Sequence, residues 1–118
     1  MKSDNPVAEK SKRFAIRIVK LYKHLVDKKQ EYILSRQLLR SGTSIGANVR
    51  EALYGQTKKD FIAKMCVSLK EGSETEYWLE LLHETGYLTQ KQFHSIYADC
   101  GELMQLLTAI VKTAKSKK

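Results

Sequence analysis

The sequence predicts an all-α protein: an antiparallel up-down-up-down four-helix bundle. Three observations carry this. Helix formers dominate the 118 residues and only one is proline, so long helices meet little to break them. Apolar residues recur at intervals of three and four in four successive stretches, at about 6–27, 33–54, 58–85 and 90–114, the period of one helix face. The links between these stretches are short, which places consecutive helices side by side. One domain, 1–118, is expected, long enough to bury a core.

Residues 1–4 are expected to fray. Asn5 is a good N-cap and Pro6 a good first helical residue. In the helix that follows, Val7, Phe14, Ile18, Leu21 and Leu25 share one face, while Ile16, Val19 and Val26 lie well away from it. So wide an apolar arc suggests two covered sides, one facing another subunit. Half-burial of the second set is the competing reading. Beside the core face run Lys10, Arg13, Arg17, Lys20, His24 and Lys28, at spacings that align them. No acid stands in that line, so an anion is welcome. An RNA-phosphate track is the functional reading, and a solvated charged face is the ordinary one.

The second helix contains the stretch Ser41-Gly42-Thr43-Ser44-Ile45-Gly46-Ala47, whose composition is that of a turn. Leu34, Leu38, Ser41, Ile45, Val49 and Ala52 nevertheless keep helical phase through it. A Gly/Ser loop between two short helices competes with this reading, and the unbroken phase favours one helix. A glycine costs about 1 kcal/mol relative to alanine inside a helix, so Gly42 and Gly46 imply close packing against another backbone. Gly72 and Ser73 of the third helix are candidates to meet them. The outer face of the second helix carries Arg36, Arg40, Arg50 and Tyr54. Arginine binds phosphate bidentately and tyrosine stacks on bases, although these arginines can equally pair with the glutamates of the third helix.

Gly55 suits the end of the second helix. Thr57 with Asp60 resembles a capping box that starts the third. Glu76, Glu80 and Glu84 repeat every four residues there, a like-charge series that calls for cationic partners such as Arg36, Arg40 or Arg50. Gly86 ends this helix, and Thr89-x-x-Gln92 caps the fourth. Phe93, Ile96, Cys100, Leu103, Leu107, Ile110 and Ala114 then give the most regular apolar stripe in the chain.

The net charge is +8, and all of the excess is N-terminal. Residues 1–50 hold 12 Lys/Arg against 4 Asp/Glu; residues 51–118 hold 9 against 9. This asymmetry suggests an anionic partner or subunits packed basic against acidic. No apolar run of about 20 residues predicts a membrane span, and the polar N-terminus has no signal-peptide pattern. Cys66 and Cys100 sit on apolar faces and do not make a disulfide framework, so a reduced cytoplasm is expected.

Catalytic and metal chemistry finds little support. A di-metal bundle needs two Glu-x-x-His motifs. Glu80-Leu81-Leu82-His83 is one; His94 follows Lys91 and His24 follows Leu21 at that spacing. No phosphate-binding loop, dinucleotide fingerprint or evident nucleophile is present. Neither enzymatic activity nor a cofactor is expected.

One segment is specific enough to suggest kinship. Ser35-Arg36-Gln37-Leu38-Leu39-Arg40-Ser41-Gly42-Thr43-Ser44-Ile45-Gly46-Ala47-Asn48 resembles the signature of the four-helix-bundle 23S rRNA-intervening-sequence proteins. Lys59-Asp60-Phe61-Ile62, Ser68-Leu69-Lys70-Glu71, Glu74-Thr75 and Tyr77-Trp78-Leu79 extend the resemblance, as do Asn5-Pro6 and Leu21-Tyr22-Lys23. The resemblance implies the bundle fold and a homo-oligomer, a pentamer. The family name suggests RNA, since it refers to genes inside intervening sequences of large ribosomal RNA. In architecture the chain also resembles, distantly, the accessory proteins of diversity-generating retroelements, basic barrels that work with nucleic acid. Two readings follow. In the first, Arg13, Arg17, Lys20, Arg36, Arg40 and Arg50 contact RNA phosphates with little sequence readout. In the second, the oligomer is a scaffold for a protein partner and the cations serve assembly.

Overall fold

The computed structural model describes residues 5–117, so the frayed tail expected over residues 1–4 lies outside it, as does Lys118. The described residues form four helices and no strand: α1 (Pro6–Asp27), α2 (Leu34–Leu53), α3 (Lys58–Glu84) and α4 (Gln90–Ser116). They pack into a rod of 49 × 24 × 23 Å. Each helix touches two others, in the order α1–α2–α3–α4 and back to α1.

Local chemistry sets the helix starts. Asn5 Oδ1 accepts the Ala8 amide at 3.0 Å, with Pro6 at the first helical position. Thr57 Oγ1 accepts the Asp60 amide at 3.0 Å. Thr89 and Gln92 form a complete capping box, with both reciprocal bonds present. The start of α2 is different. Its N-cap position is Ile33, which has no side chain able to cap. Glu31 does the work instead: its carboxylate accepts the amides of Ile33, Leu34 and Ser35 at 3.2, 3.0 and 2.6 Å. Gln30, at φ 54°, turns the chain so that this carboxylate folds back under the helix. The cap leaves α2 beginning at Leu34, and its last turn closes at Leu53, one residue inside the expected 33–54 at each end. α2 is unbroken through Gly42 and Gly46, so the turn-like composition is a packing feature. Gly86, at φ 90°, ends α3 in the left-handed conformation that glycine adopts without strain.

The core runs the length of the rod. Phe14, Ile18, Leu25, Leu38, Ile45, Val49, Met65, Leu79, Leu82, Leu103 and Leu107 are its largest fully buried apolar side chains. Leu21 of the expected α1 face is half-buried against them, while Ile16 and Val19 are 46% and 37% exposed. The seam between α2 and α3 carries small polar groups as well. Ser68 donates to the Ile45 carbonyl at 2.9 Å, and the Thr75 and Ser41 hydroxyls are hydrogen-bonded at 2.9 Å. Both pairs are buried, where an unmet hydroxyl would cost more than the bond itself contributes.

The glycines pack differently from the expectation that Gly72 and Ser73 meet Gly42 and Gly46. Gly42 and Gly46 face α1: a Cβ on Gly42 would lie 2.7 Å from Ile18, and one on Gly46 would lie 3.3 Å from the Ser11 carbonyl. Gly72 makes room for the Met104 side chain of α4, and Ser73 is exposed. A helix in a bundle has a neighbour on each side of its core face, and α2 turns its glycines to α1 and the Ser41 hydroxyl to α3.

Candidate nucleic-acid interface

The sequence-selected cations fall on two surfaces. Arg13, Arg17 and Lys20 project from the side of α1 next to α4; Arg36, Arg40 and Arg50 are exposed along α2. The α1 line is less free than its own residues imply, because α4 supplies acids. Lys10 pairs with Glu102 and Arg17 with Asp99, each at 3.1 Å. Arg17 also donates to the Ser95 hydroxyl at 2.9 Å. Arg13 lies 3.8 Å from Glu9, one turn away on its own helix. The partners of Lys10 and Arg17 stand 92 and 82 positions along the chain, beyond the reach of local spacing.

On α2, Arg40 bridges to α3. It pairs with Glu71 at 3.3 Å and, more closely, with Glu74. The Arg40 hydrogen bond, with a second from the Trp78 indole at 3.0 Å, holds the Glu74 carboxyl below its ordinary range. An α3 glutamate therefore does meet an α2 arginine, though not from the series Glu76, Glu80 and Glu84. Glu76 and Glu80 lie toward α4 instead. Glu80 accepts the Tyr97 hydroxyl at 2.5 Å. Burial, and then the neighbouring Glu80 charge, push the Glu76 carboxyl up. His83, the histidine of the Glu-x-x-His motif, stacks on Phe93 with ring centroids 4.3 Å apart.

The side chains of Lys20, Arg36 and Arg50 are exposed and make no hydrogen bond or ion pair among the described residues. Two open clefts adjoin these cations. One, of about 430 Å³, lies between α1 and α2, floored by Ala8, Ser11, Ala15, Gly46 and Ala47 and flanked by Lys12, Arg50 and Glu51. The other, also about 430 Å³, lies between the C-terminal half of α1 and the first turns of α4. Arg17, Lys20, Leu21 and His24 form one wall; Lys91, Gln92, Ser95 and Ile96 form the other. Lys91 is not among the residues that sequence reasoning selects. Its one local signal is a cation in a helical first turn, where the helix dipole favours an acid.

Buried apolar seams, small polar groups between α2 and α3, and cations on two outer faces define a small basic four-helix-bundle protein. Residues 3–109 match the family described as 23S rRNA-intervening sequence protein, and the chain belongs to that family. It is also similar to a crystal structure from Bacteroides thetaiotaomicron VPI-5482, described as a protein with unknown function from the S23 ribosomal protein family. The two are 54% identical over 94% of this chain and 99% of that one, with a TM-score of 0.91. No match is found among curated proteins.

Proposed function

We propose that the chain is a non-enzymatic subunit of a cytoplasmic homopentamer that binds RNA, or another nucleic acid, through phosphate contacts from α1 and α2. The observation that carries this reading is the set Lys20, Arg36 and Arg50, exposed and without partners among the described residues. Cations left unpaired on a chain of net charge +8 favour an anionic polymer by releasing its counterions. Arg13, Arg17 and Arg40, already near carboxylates, add charge and position. The subunit is an antiparallel up-down-up-down bundle, a reading supported by pairs such as Lys10 with Glu102 and Arg17 with Asp99, in which rising numbers meet falling ones. Exposed Ile16 and Val19 on the outer side of α1 support a subunit contact. No helix among the described residues is long and apolar enough to cross a membrane.

The test is fluorescence anisotropy with a structured ribosomal-RNA fragment and an unrelated RNA across a salt series. Tight binding to both that falls steeply with salt, and weakens when Lys20, Arg36 and Arg50 become glutamine, supports phosphate recognition. No binding at low salt overturns it. In that case the reading becomes a scaffold for a protein partner, which Ile33 and Tyr32, 75% and 52% exposed at the α1–α2 link, independently favour.

A further inference from the structure

We infer that the cleft between α1 and α4 is a binding site for a phosphoryl group, carried by a nucleic-acid end or by a small phosphorylated molecule. This rests on the phosphate-contact reading and deepens it by giving it one location.

Four basic residues line it from two helices: Arg17, Lys20 and His24 from α1, and Lys91 from α4. No carboxylate lines the cleft. The adjacent acid, Asp99, is engaged by Arg17 at 3.1 Å, and Ser95 holds the same guanidinium at 2.9 Å. Arg17 is thereby fixed in place at the cleft wall. Lys20 and Lys91 face solvent with no hydrogen bond or ion pair among the described residues.

His24 contributes to the same wall. Its Nε2 is buried and has no hydrogen-bond partner among the described residues. That nitrogen is closed to solvent, so the cleft offers an anion its two free lysines rather than this ring nitrogen. Leu21 and Ile96 give the cleft an apolar side, so an ester can rest its carbon skeleton there while its phosphate meets the lysines. The volume of about 430 Å³ falls in the range of roughly 300–1,000 Å³ typical of small-ligand sites. The α1–α2 cleft is of similar size but carries Glu51 among its walls, which opposes an anion.

The experiment is a titration of the full chain, ¹⁵N-labelled, with inorganic phosphate at low salt, followed by amide chemical shifts. Saturable shifts confined to Lys20, Leu21, His24, Lys91, Gln92 and Ser95 are expected. Affinity should fall at least tenfold in the Lys20→Gln/Lys91→Gln double variant and stay unchanged in Lys112→Gln/Lys115→Gln, which removes two exposed cations from the other end of α4. Lys20 and Lys91 are both exposed, so the double variant should fold, and its amide spectrum verifies that. Shifts that spread over every basic surface without saturating, or an unchanged affinity in the double variant, overturn the site. A short RNA with a 5′-phosphate, compared with its 5′-hydroxyl form, separates the two sources: a preference assigns the site to nucleic-acid ends, and no preference assigns it to a small phosphorylated molecule. Phosphate binding without RNA binding upholds the site and removes the RNA reading. RNA binding with no phosphate response in the cleft does the reverse.

Discussion

Glu31 and Ser35 form a reciprocal pair. The Glu31 carboxylate accepts the Ser35 amide at 2.6 Å, and the Ser35 hydroxyl returns a bond to the Glu31 carbonyl at 2.7 Å. With Ile33 and Leu34 also held, the first turn of α2 hangs from one side chain that is 8% exposed. Glu31→Ala should destabilise the fold by about 1–3 kcal/mol, the cost of unmet buried donors, measured by urea denaturation at pH 7. Burial pushes the Glu31 carboxyl up, but the amides of Leu34, Ser35 and Ile33, together with the Ser35 hydroxyl, outweigh it and hold it below the ordinary range. The unfolded chain then binds the proton more readily than the folded one. The contribution is present above the unfolded carboxyl's range and is lost as pH falls through the folded value. The gap between wild type and Glu31→Ala should narrow on acidification, and a constant gap would refute the role of charge in the cap.

Glu76 works in the opposite direction. Burial raises its carboxyl and the Glu80 charge adds to the effect, so the folded state holds the proton up to a higher pH than the unfolded chain does. Between the two values stability falls as pH rises. Glu76→Gln should therefore raise the melting temperature at pH 7 and lose that advantage below the ordinary carboxyl range. Scanning calorimetry at the two pH values measures both.

The glycines divide by what faces them. Gly42→Ala would place a Cβ 2.7 Å from Ile18, a fully buried side chain, and should cost about 1–3 kcal/mol as an overpacking change. Gly72→Ala would press on Met104, a half-buried and flexible side chain that can move aside. The gain in helix propensity of about 1 kcal/mol should leave that variant within about 1 kcal/mol of wild type. Equal losses in chemical denaturation would contradict this division.

Asp99 and Glu102 act as counter-charges to Arg17 and Lys10. Neutralising both, Asp99→Asn with Glu102→Gln, should cost less than about 1 kcal/mol of stability, as for exposed ion pairs generally. It should also raise the affinity for RNA or inorganic phosphate, because two cations lose their internal partners. Lower anion affinity would show that the pairs aim the cations productively.

Cys100 is fully buried, and burial, followed by the charges of Glu76 and Asp99, pushes its thiol up to about 12. Thiolate is the reactive form. Alkylation of the native protein should therefore modify the half-buried Cys66 and leave Cys100 intact until unfolding, read by peptide mass mapping.

Much of this fold is legible because its signals are local. Asn5, Thr57 and Thr89 announce three helix starts, and the phase kept from Leu34 to Ala52 carries α2 through its glycines. The fourth start escapes, because a glutamate is not an ordinary N-cap residue and reaches its amides only after the turn at Gln30. The glycine partners are misread for a related reason. Periodicity shows which face of α2 is small, but two neighbours border that face. The candidate site is less legible than the fold. The line from Lys10 to Lys28 is plain in sequence, while the acids that pair with Lys10 and Arg17 lie near the far end of the chain. Lys91 joins Lys20 only because α4 lies along α1.

The α1–α4 seam differs in kind from the other three. The first and last helices share far fewer contacts than α1 with α2, α2 with α3, or α3 with α4, and among the described residues the hydrogen bonds and ion pairs across it are made by the side chains of Lys10 and Arg17. The bundle is thus a barrel of staves with one lightly fastened joint. Ionic strength loosens exposed charge pairs, so salt sets how often that joint parts and how fast amides along α1 and α4 exchange with solvent. An anion seated between Lys20 and Lys91 would span the joint, and holding its ligand and holding itself shut would become one equilibrium.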